Sequence, residues 1–365
     1  MRATLLLLAL ALAITPAQAM EAVRVSEDGT GFVLADSGAP FRAWGVNYDH
    51  DHAGRLLEAY WADAWDTVVE DFHEICDLGA NVVRVHLQLG AFMASADTPD
   101  AAALDRLAKL VKLAEQTGLY LDITGLACYH KDETPAWYDA LPEAERWAVQ
   151  ARFWEAVAKT CAHSPAIFCY DLMNEPILPG ETPETEWLAG EFAGKYFVQR
   201  IALDLAGRTR EAVAKAWVDT LVSAIRRHDP HHLVTVGVIP WAKVWPNAKP
   251  LFHGPEVGRR LDFVSVHFYP EAGEVDKALA ALKVYEVGKP LVVEEMFPLS
   301  CSADELIDFI DRSRDFTDGY VSFYWGKRIE DFEAEADLDL SGALTKEWLE
   351  RFRAKSAEMT ASPAE

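Results

Sequence analysis

The stretch "IFCYDLMNEPILPG" ends an apolar run in Asn174-Glu175-Pro176. It reads as a strand near 168–173 that delivers an amide and a carboxylate to its own exit, where proline stops it. A second apolar run, "KPLVVEEMF", closes on Glu294 and Glu295. Arg84 and His86 stand in "VVRVH", His267 and Tyr269 in "VSVHFYP", and Trp325 follows "GYVSFY". Two carboxylates on opposite sides of a pocket, with an arginine, a tyrosine and a tryptophan beside them, match what cleavage of a glycosidic bond requires. One carboxylic acid protonates the leaving oxygen while the other attacks the anomeric carbon. The two need different pKa values, set by their surroundings. The arginine would keep the attacking group ionised, and the tryptophan offers a flat apolar face to a sugar ring.

These residues can cooperate only if the elements bearing them converge. Short β-rich runs near 42–47, 82–86, 120–124, 168–173, 233–238, 263–267, 291–295 and 319–324 alternate with helical stretches. In "DTVVEDFHEICDLG", "AALDRLAKLVKLAEQTG" and "AVAKAWVDTLVSAIRRHDP", apolar residues recur at three- and four-residue spacing and stop at Gly or Asp-Pro. Eight strand–helix units predict an α/β chain folded as a single (β/α)8 TIM barrel. The strands are continuous Val/Ile/Leu runs, as strands covered on both faces should be. An open doubly wound sheet fits less well, since no GxGxxG turn follows the first strand. In the barrel, the polar residues above fall at strand exits, the end where such folds carry their chemistry. A short N-terminal hairpin ("VRVSEDGTGFVLADSGAPF") precedes the first strand, and a long insertion over 177–210 follows the fourth. Loops of that length in compact domains are usually functional.

Residues 1–19, "MRATLLLLALALAITPAQA", have one cation, an apolar run too short for a bilayer, and a small-residue cleavage site. They read as a signal peptide, so the expectation is a secreted or periplasmic, monomeric protein. Its catalytic domain would span 20–358, with a disordered tail over 359–365. The 365 residues carry 58 acidic against 34 basic side chains, a net charge of −24. A field of that sign repels nucleic acid and anionic lipid, so the expected partner is a neutral glycan, not nucleic acid or membrane. Five cysteines (76, 128, 161, 169 and 301) are an odd and sparse set with no CxxC pair; one disulfide is possible, but a chain of this size does not need it. Cys76 and Cys169 sit in apolar contexts and read as buried thiols.

"GVN" after the first strand, "GANVVRVH", "DLMNEP", "IRRHDPHHLVTVG", "VSVHFYP", "KPLVVEEMF" and the Trp of "FYWG" resemble, in order, glycoside hydrolase family 5. That family comprises retaining, cellulase- and mannanase-like (β/α)8 enzymes. The resemblance implies Glu175 as acid/base, Asn174 as the amide holding the sugar 2-hydroxyl, and Glu295 as nucleophile. It implies that Arg84 and Tyr269 hydrogen-bond the nucleophile, that His267 lies near the acid/base, and that Trp325 forms the floor under the sugar. No cofactor and no metal are implied. Two departures stand out: Gly125 where the family often has a strand-three histidine, and Met296-Phe297-Pro298 after the nucleophile. Alternation lets only one of Glu294 and Glu295 face the axis, and both have apolar neighbours in parity, so alternation does not choose. The family likeness favours Glu295, with Glu294 turned to the flanking helices or the rim.

Each of these residues also has a plainer reading. Glu175 could cap the next segment, Arg84 could be an ion-pair partner in the barrel floor, and His267 and Trp325 could be core. Trp44 and Trp154 read as structural; Trp187, Trp241 and Trp245 lie on rim loops where they could stack outer sugars. Asn47, His50 and Asp51 after the first strand read as groups that hydrogen-bond substrate. The His50-x-His52 pattern also fits a metal-dependent barrel hydrolase, but the strand-five exit "VTVGVIP" offers no ligand to complete it. The expectation is therefore a retaining endo-β-glycanase acting on a neutral β-linked glucan or mannan. The alternatives are an exo-acting β-glycosidase or β-mannosidase, a metal-dependent hydrolase, and a barrel that binds sugar without cleaving it.

Overall fold

The computed structural model describes residues 20–361 apart from His52, Asn247 and Tyr324. The signal-peptide reading falls on residues outside that set. Eight parallel strands form the core of the molecule: β1 (Ala43–Asn47), β2 (Val82–Gln88), β3 (Tyr120–Ala127), β4 (Ile167–Asp171), β5, β6 (Val264–His267), β7 (Leu291–Met296) and β8 (Gly319–Ser322). β5 is broken at Val236 into Leu233–Thr235, which pairs with β4, and Gly237–Val238, which pairs with β6. β8 pairs with β1, so the ring is completed through the two halves of β5. This is the expected (β/α)8 barrel.

The flanking helices are α1 (Trp65–Asp77), α2 (Ala101–Thr117), α3 (Glu143–Cys161), α4 (Arg210–Arg226), α5 (Val275–Leu282), α6 (Ala303–Ser313) and α7 (Leu340–Thr360). Local chemistry sets their ends. Asp100 accepts the Ala103 N–H at 2.9 Å to start α2, and Gly118, at φ +76°, stops it. Ser302 and Glu305 form a reciprocal capping box on α6. Among the described residues the unit after β5 has no long helix, only Trp241–Val244 and a 3₁₀ turn, Gly258–Arg260. α7 runs through Thr360 with Met359 buried, past the start of the expected tail. Among the described residues no helix is long and apolar enough to cross a membrane, and the five thiols are all unbridged.

The N-terminal segment makes three short strands, Val23–Val25, Phe32–Leu34 and Pro40–Phe41, rather than a simple hairpin. They close the bottom of the barrel: Phe32 meets Phe168 and Phe263 edge-on at 5.2 and 5.3 Å. With the bottom plugged by apolar rings, polar groups inside the barrel can gather only toward its upper end.

One irregularity controls what they present there. Along β6 and β7, Val266 pairs with Val293 but His267 pairs with Glu295, so Glu294 is an extra residue in the ladder. The β7–β8 register shifts over the same stretch. Such a bulge breaks strict alternation and re-aims the side chains beyond it. Glu294 and Glu295, although adjacent, therefore both reach the barrel interior.

Candidate active site

Arg84, on β2, is fully buried at the centre of the upper barrel. Its Nη1 donates to Glu295 Oε1 at 2.6 Å and to Asn47 Oδ1 at 2.9 Å. Its Nη2 donates to Asp171 Oδ2 at 2.8 Å and to Asn174 Oδ1 at 2.9 Å, and lies 3.5 Å from Glu294 Oε2. A buried guanidinium is tolerated only when paired and hydrogen-bonded in this way. The ion-pair and site-facing readings of Arg84 thus describe one group.

Glu295 is 5% exposed, and its second oxygen accepts from the Tyr269 hydroxyl at 2.8 Å. Burial pushes its carboxyl above the ordinary range, while the charges of His267 and Arg84 and the Tyr269 hydrogen bond oppose that push. Glu175 sits at the β4 exit in the left-handed region, φ +46°, which non-glycine residues occupy rarely and which clusters at functional sites. Its N–H is tied to Gly237 O at 2.9 Å. Its Oε1 lies 2.9 Å from His267 Nδ1, and its side chain is 16% exposed, more open than that of Glu295. One oxygen of Glu175, one of Glu295 and a ring nitrogen of His267 all lie within 4.8 Å of one another. Their nearest atoms thus meet across one pocket, which suits the close pairing, ~5–5.5 Å between carboxyl groups, of a retaining enzyme.

His267 is an imidazolium held among carboxylates. Burial alone would lower its pKa, but the charge of Glu295 and the hydrogen bonds to Glu175 and Glu294 raise it to about 10. Its Nε2 lies 3.4 Å from Glu294 Oε2. Glu294 is fully buried inside the barrel, not turned to the helices or the rim as expected from alternation. Against the penalty of burial, Arg84 and His267 hold it down at about 2. Below it lie Asp122 and Cys169. Burial, then the Glu294 charge, pushes the Asp122 carboxyl far up. These groups could each offer an atom to a cation, as could Glu175, His267 and Glu295, but in the upper set Arg84 and Tyr269 already occupy both Glu295 oxygens.

Asn47 is enclosed beneath this array. Its amide donates to Glu294 O and Ser322 O at 3.3 and 3.0 Å, and its oxygen accepts from Arg84 and from His86 Nε2. All four positions are used, so it braces Arg84 rather than meeting a substrate. His86 is buried and kept neutral by burial and by Arg84, and its Nδ1 meets the Tyr129 hydroxyl. Asn174 donates one N–H to Phe197 O at 2.9 Å, which leaves its second.

Other positions differ from expectation. β8 ends at Ser322, not 324, so Phe323 stands at the mouth, 6.2 Å from the Tyr269 ring, and Trp325 is carried past it. Trp325 is buried edge-on against Tyr48 at 5.7 Å, beside Glu74 and Asp77 of α1. It packs there as part of the core. His50 Nδ1 bonds Asp49 Oδ1 at 2.6 Å, and His52 lies outside the described residues. Asp51 is buried and accepts from the Ala53 and Arg55 N–H groups and the Arg55 guanidinium, stapling its own loop. Trp187 is buried under the Arg146 guanidinium (4.4 Å), whereas Trp241 and Trp245 are exposed and paired at 5.4 Å. Trp44 and Trp154 are core. At Gly125 a Cβ would come within 2.4 Å of Trp154, so no histidine fits there.

Sequence reasoning missed Asp171, Asp122, Tyr129, Phe197 and Phe323. Asp171 anchors Arg84, Thr124 Oγ1 (2.9 Å) and the Gly237 N–H (2.8 Å) at once. It and Asp122 were visible as lone acids inside apolar strands, "FCYDLM" and "YLDIT".

A family model described as cellulase (glycosyl hydrolase family 5) matches the chain over residues 35–296. Among solved structures the chain is similar to an exo-β-1,4-mannosidase from an Opitutaceae bacterium, strain TAV5, with a TM-score of 0.67 and 18% identity over 92% of this chain. It spans 62% of that longer protein. It is also similar to a β-1,4-mannanase from the sea hare Aplysia kurodai, with a TM-score of 0.60 and 14% identity over 94% of this chain and 99% of that one. A third is the catalytic domain of an endoglucanase from Thermobifida fusca, with a TM-score of 0.57 and 17% identity over 91% of this chain and 98% of that one. Comparison with curated proteins finds no match. At such identities the structural likeness speaks for the fold alone.

Proposed function

The chain belongs to glycosyl hydrolase family 5 and is a glycoside hydrolase, and from that premise we propose that it cleaves a neutral β-linked glucan or mannan with retention of configuration. The observation that carries this reading is the closeness of Glu175 and Glu295, each held differently, with His267 within reach of both.

Glu295 is the nucleophile. Arg84 donates to one oxygen and Tyr269 to the other, a setting built for a carboxylate. Glu175 is the acid/base. The His267 Nδ1–H is directed at its Oε1, which leaves Oε2 to carry the proton. That proton passes to the departing glycosidic oxygen as Glu295 bonds to the anomeric carbon and the C–O bond breaks. Glu175 then takes a proton from water, which attacks the same carbon and breaks the glycosyl ester, so two inversions restore the configuration. Asn174 offers its remaining N–H to the 2-hydroxyl, and Tyr269 with Phe323 forms the aromatic floor. The neutral substrate follows from the net charge of −24, which disfavours polyanions.

Proton NMR of aryl β-mannoside and β-glucoside hydrolysis tests the scheme. The β-anomer is expected first, with turnover unchanged in EDTA. E175A lowers kcat/KM by about 10²–10⁴-fold on substrates whose leaving group needs a proton and far less on activated aryl glycosides, on which it lowers kcat instead because water loses its base in the second step. Initial α-anomer, or full turnover in E295A, would overturn it.

A further inference from the structure

The segment between β4 and α4 folds into its own three-stranded sheet, with Val198–Arg200 between Pro176–Ile177 and Leu188–Ala189. Its return arm, residues 196–201, is fixed to the barrel rim by buried bonds. The Tyr196 N–H donates to Tyr129 O at 2.9 Å, and Gln199 Nε2 donates to Leu126 O at 2.9 Å, both at the β3 exit. Asn174 Nδ2 donates to Phe197 O, and Trp147 of α3 donates to Ile201 O at 2.7 Å.

Phe197 then crosses the mouth. Its ring lies 4.8 Å from Tyr129, after β3, and 6.0 Å from Phe323, after β8. It also packs on the buried group of Leu56, Ala127 and Tyr129, and Leu56 belongs to the loop after β1. A single aromatic side chain therefore links the exits of β3, β1 and β8. Through Phe197 the arm spans the mouth between the β3 exit, the β8 exit and the loop after β1. On the other side, beside β5, a groove of about 950 Å³ runs past Ile177, Leu178, Trp241 and Trp245.

Building on the retaining reading above, we infer that Phe197 and its arm close the glycone side of the site after one sugar, making the protein an exo-acting β-glycosidase that removes single residues from the non-reducing end. Glu175 stands at the β4 exit, tied to Gly237 of β5, so the leaving group it protonates departs toward that groove. A second glycone sugar would have to lie over β8, β1 and β2, where Phe197, Phe323, Tyr129 and Leu56 already meet. The wall is anchored at both ends by the hydrogen bonds of Tyr196, Gln199 and Ile201. This departs from the endo-acting expectation drawn from the sequence.

The test is a time course on β-1,4-linked manno- and gluco-hexasaccharides labelled at the reducing end, alongside the matching aryl monosaccharide glycosides. The wild-type protein shortens the labelled chain one unit at a time, with monosaccharide as the sole early product. F197A raises the ratio of internal to terminal cleavage by about tenfold, whereas F197L, which keeps the bulk, does not. Internal cuts by the wild-type protein from the first time points overturn the inference while leaving the retaining reading intact. Failure of the wild-type protein on all four substrates overturns both. If F197A does not fold, Y196G, which loosens the arm without emptying the wall, replaces it and must shift the ratio in the same direction.

Discussion

At the scale of single residues, the site is a problem of charge held out of water. Arg84 and His267 are the two cations, and Glu294, Glu295, Asp171 and Glu175 surround them. Removing either cation would strand buried carboxylates, the costliest kind of single change. His267 carries a testable consequence. Its folded-state pKa of about 10 exceeds the ordinary 6.5, so its protonation contributes stability in full below about 6.5 and loses that contribution as pH rises through about 10. The Tm is expected to fall progressively over that window, and the slope to flatten in H267N. A wild-type Tm independent of pH there, or an identical slope in the variant, would refute the imidazolium. Which residues meet was partly readable beforehand: Glu175, Glu295, Tyr269, His267 and Asn174 stand at or near strand exits, and Arg84 is a lone cation within an apolar strand. The bracing of Arg84 by Asn47 and the packing of Trp325 against Tyr48 were not readable, because they depend on where a side chain ends up after the strand stops.

At the scale of elements, the bulge in β7 and the break in β5 belong together. Gly237 begins the second half of β5, facing the bulge. A Cβ there would lie 2.4 Å from Glu294 Oε2 and 2.6 Å from His267 Nε2. Only glycine leaves room for the buried pair. G237A is therefore expected to cost about 1–3 kcal/mol through overpacking and to lower activity more than stability, because it displaces the groups that orient Glu175. Thermal melts and kcat on one aryl glycoside measure both, and a variant with wild-type values in each would show that the interior is looser than described. The strands themselves were legible, since sheets covered on both faces require continuous apolar runs. The bulge was not, because a two-residue period carries no mark of one inserted residue. Nor was the insertion: "GETPETEWLAGEFAGKYF" has no helical or alternating period, and its fold depends on distant partners at the β3 and β8 exits.

At the scale of the whole molecule, the fold class followed from counting eight alternating units, although the fifth helix is reduced to one turn and the counted strand five is two pieces. Composition bears on substrate rather than fold. With a net charge of −24, hydrolysis of a carboxymethylated glucan is expected to trail that of its neutral counterpart at low salt. The gap narrows between about 0.01 and 0.15 M salt, where the Debye length falls from ~30 to ~8 Å. Equal rates on both polymers at low salt would show that the field does not reach the site. The account as a whole depends on a single covalent bond. Incubation with an activated 2-deoxy-2-fluoro β-glycoside, followed by intact mass and peptide mapping, measures it directly. The account predicts one added glycosyl unit on the peptide spanning 291–296, located at Glu295. Label on Glu294 or Glu175, or steady turnover of natural substrate by a protein that never accumulates the adduct and releases inverted product, would contradict it.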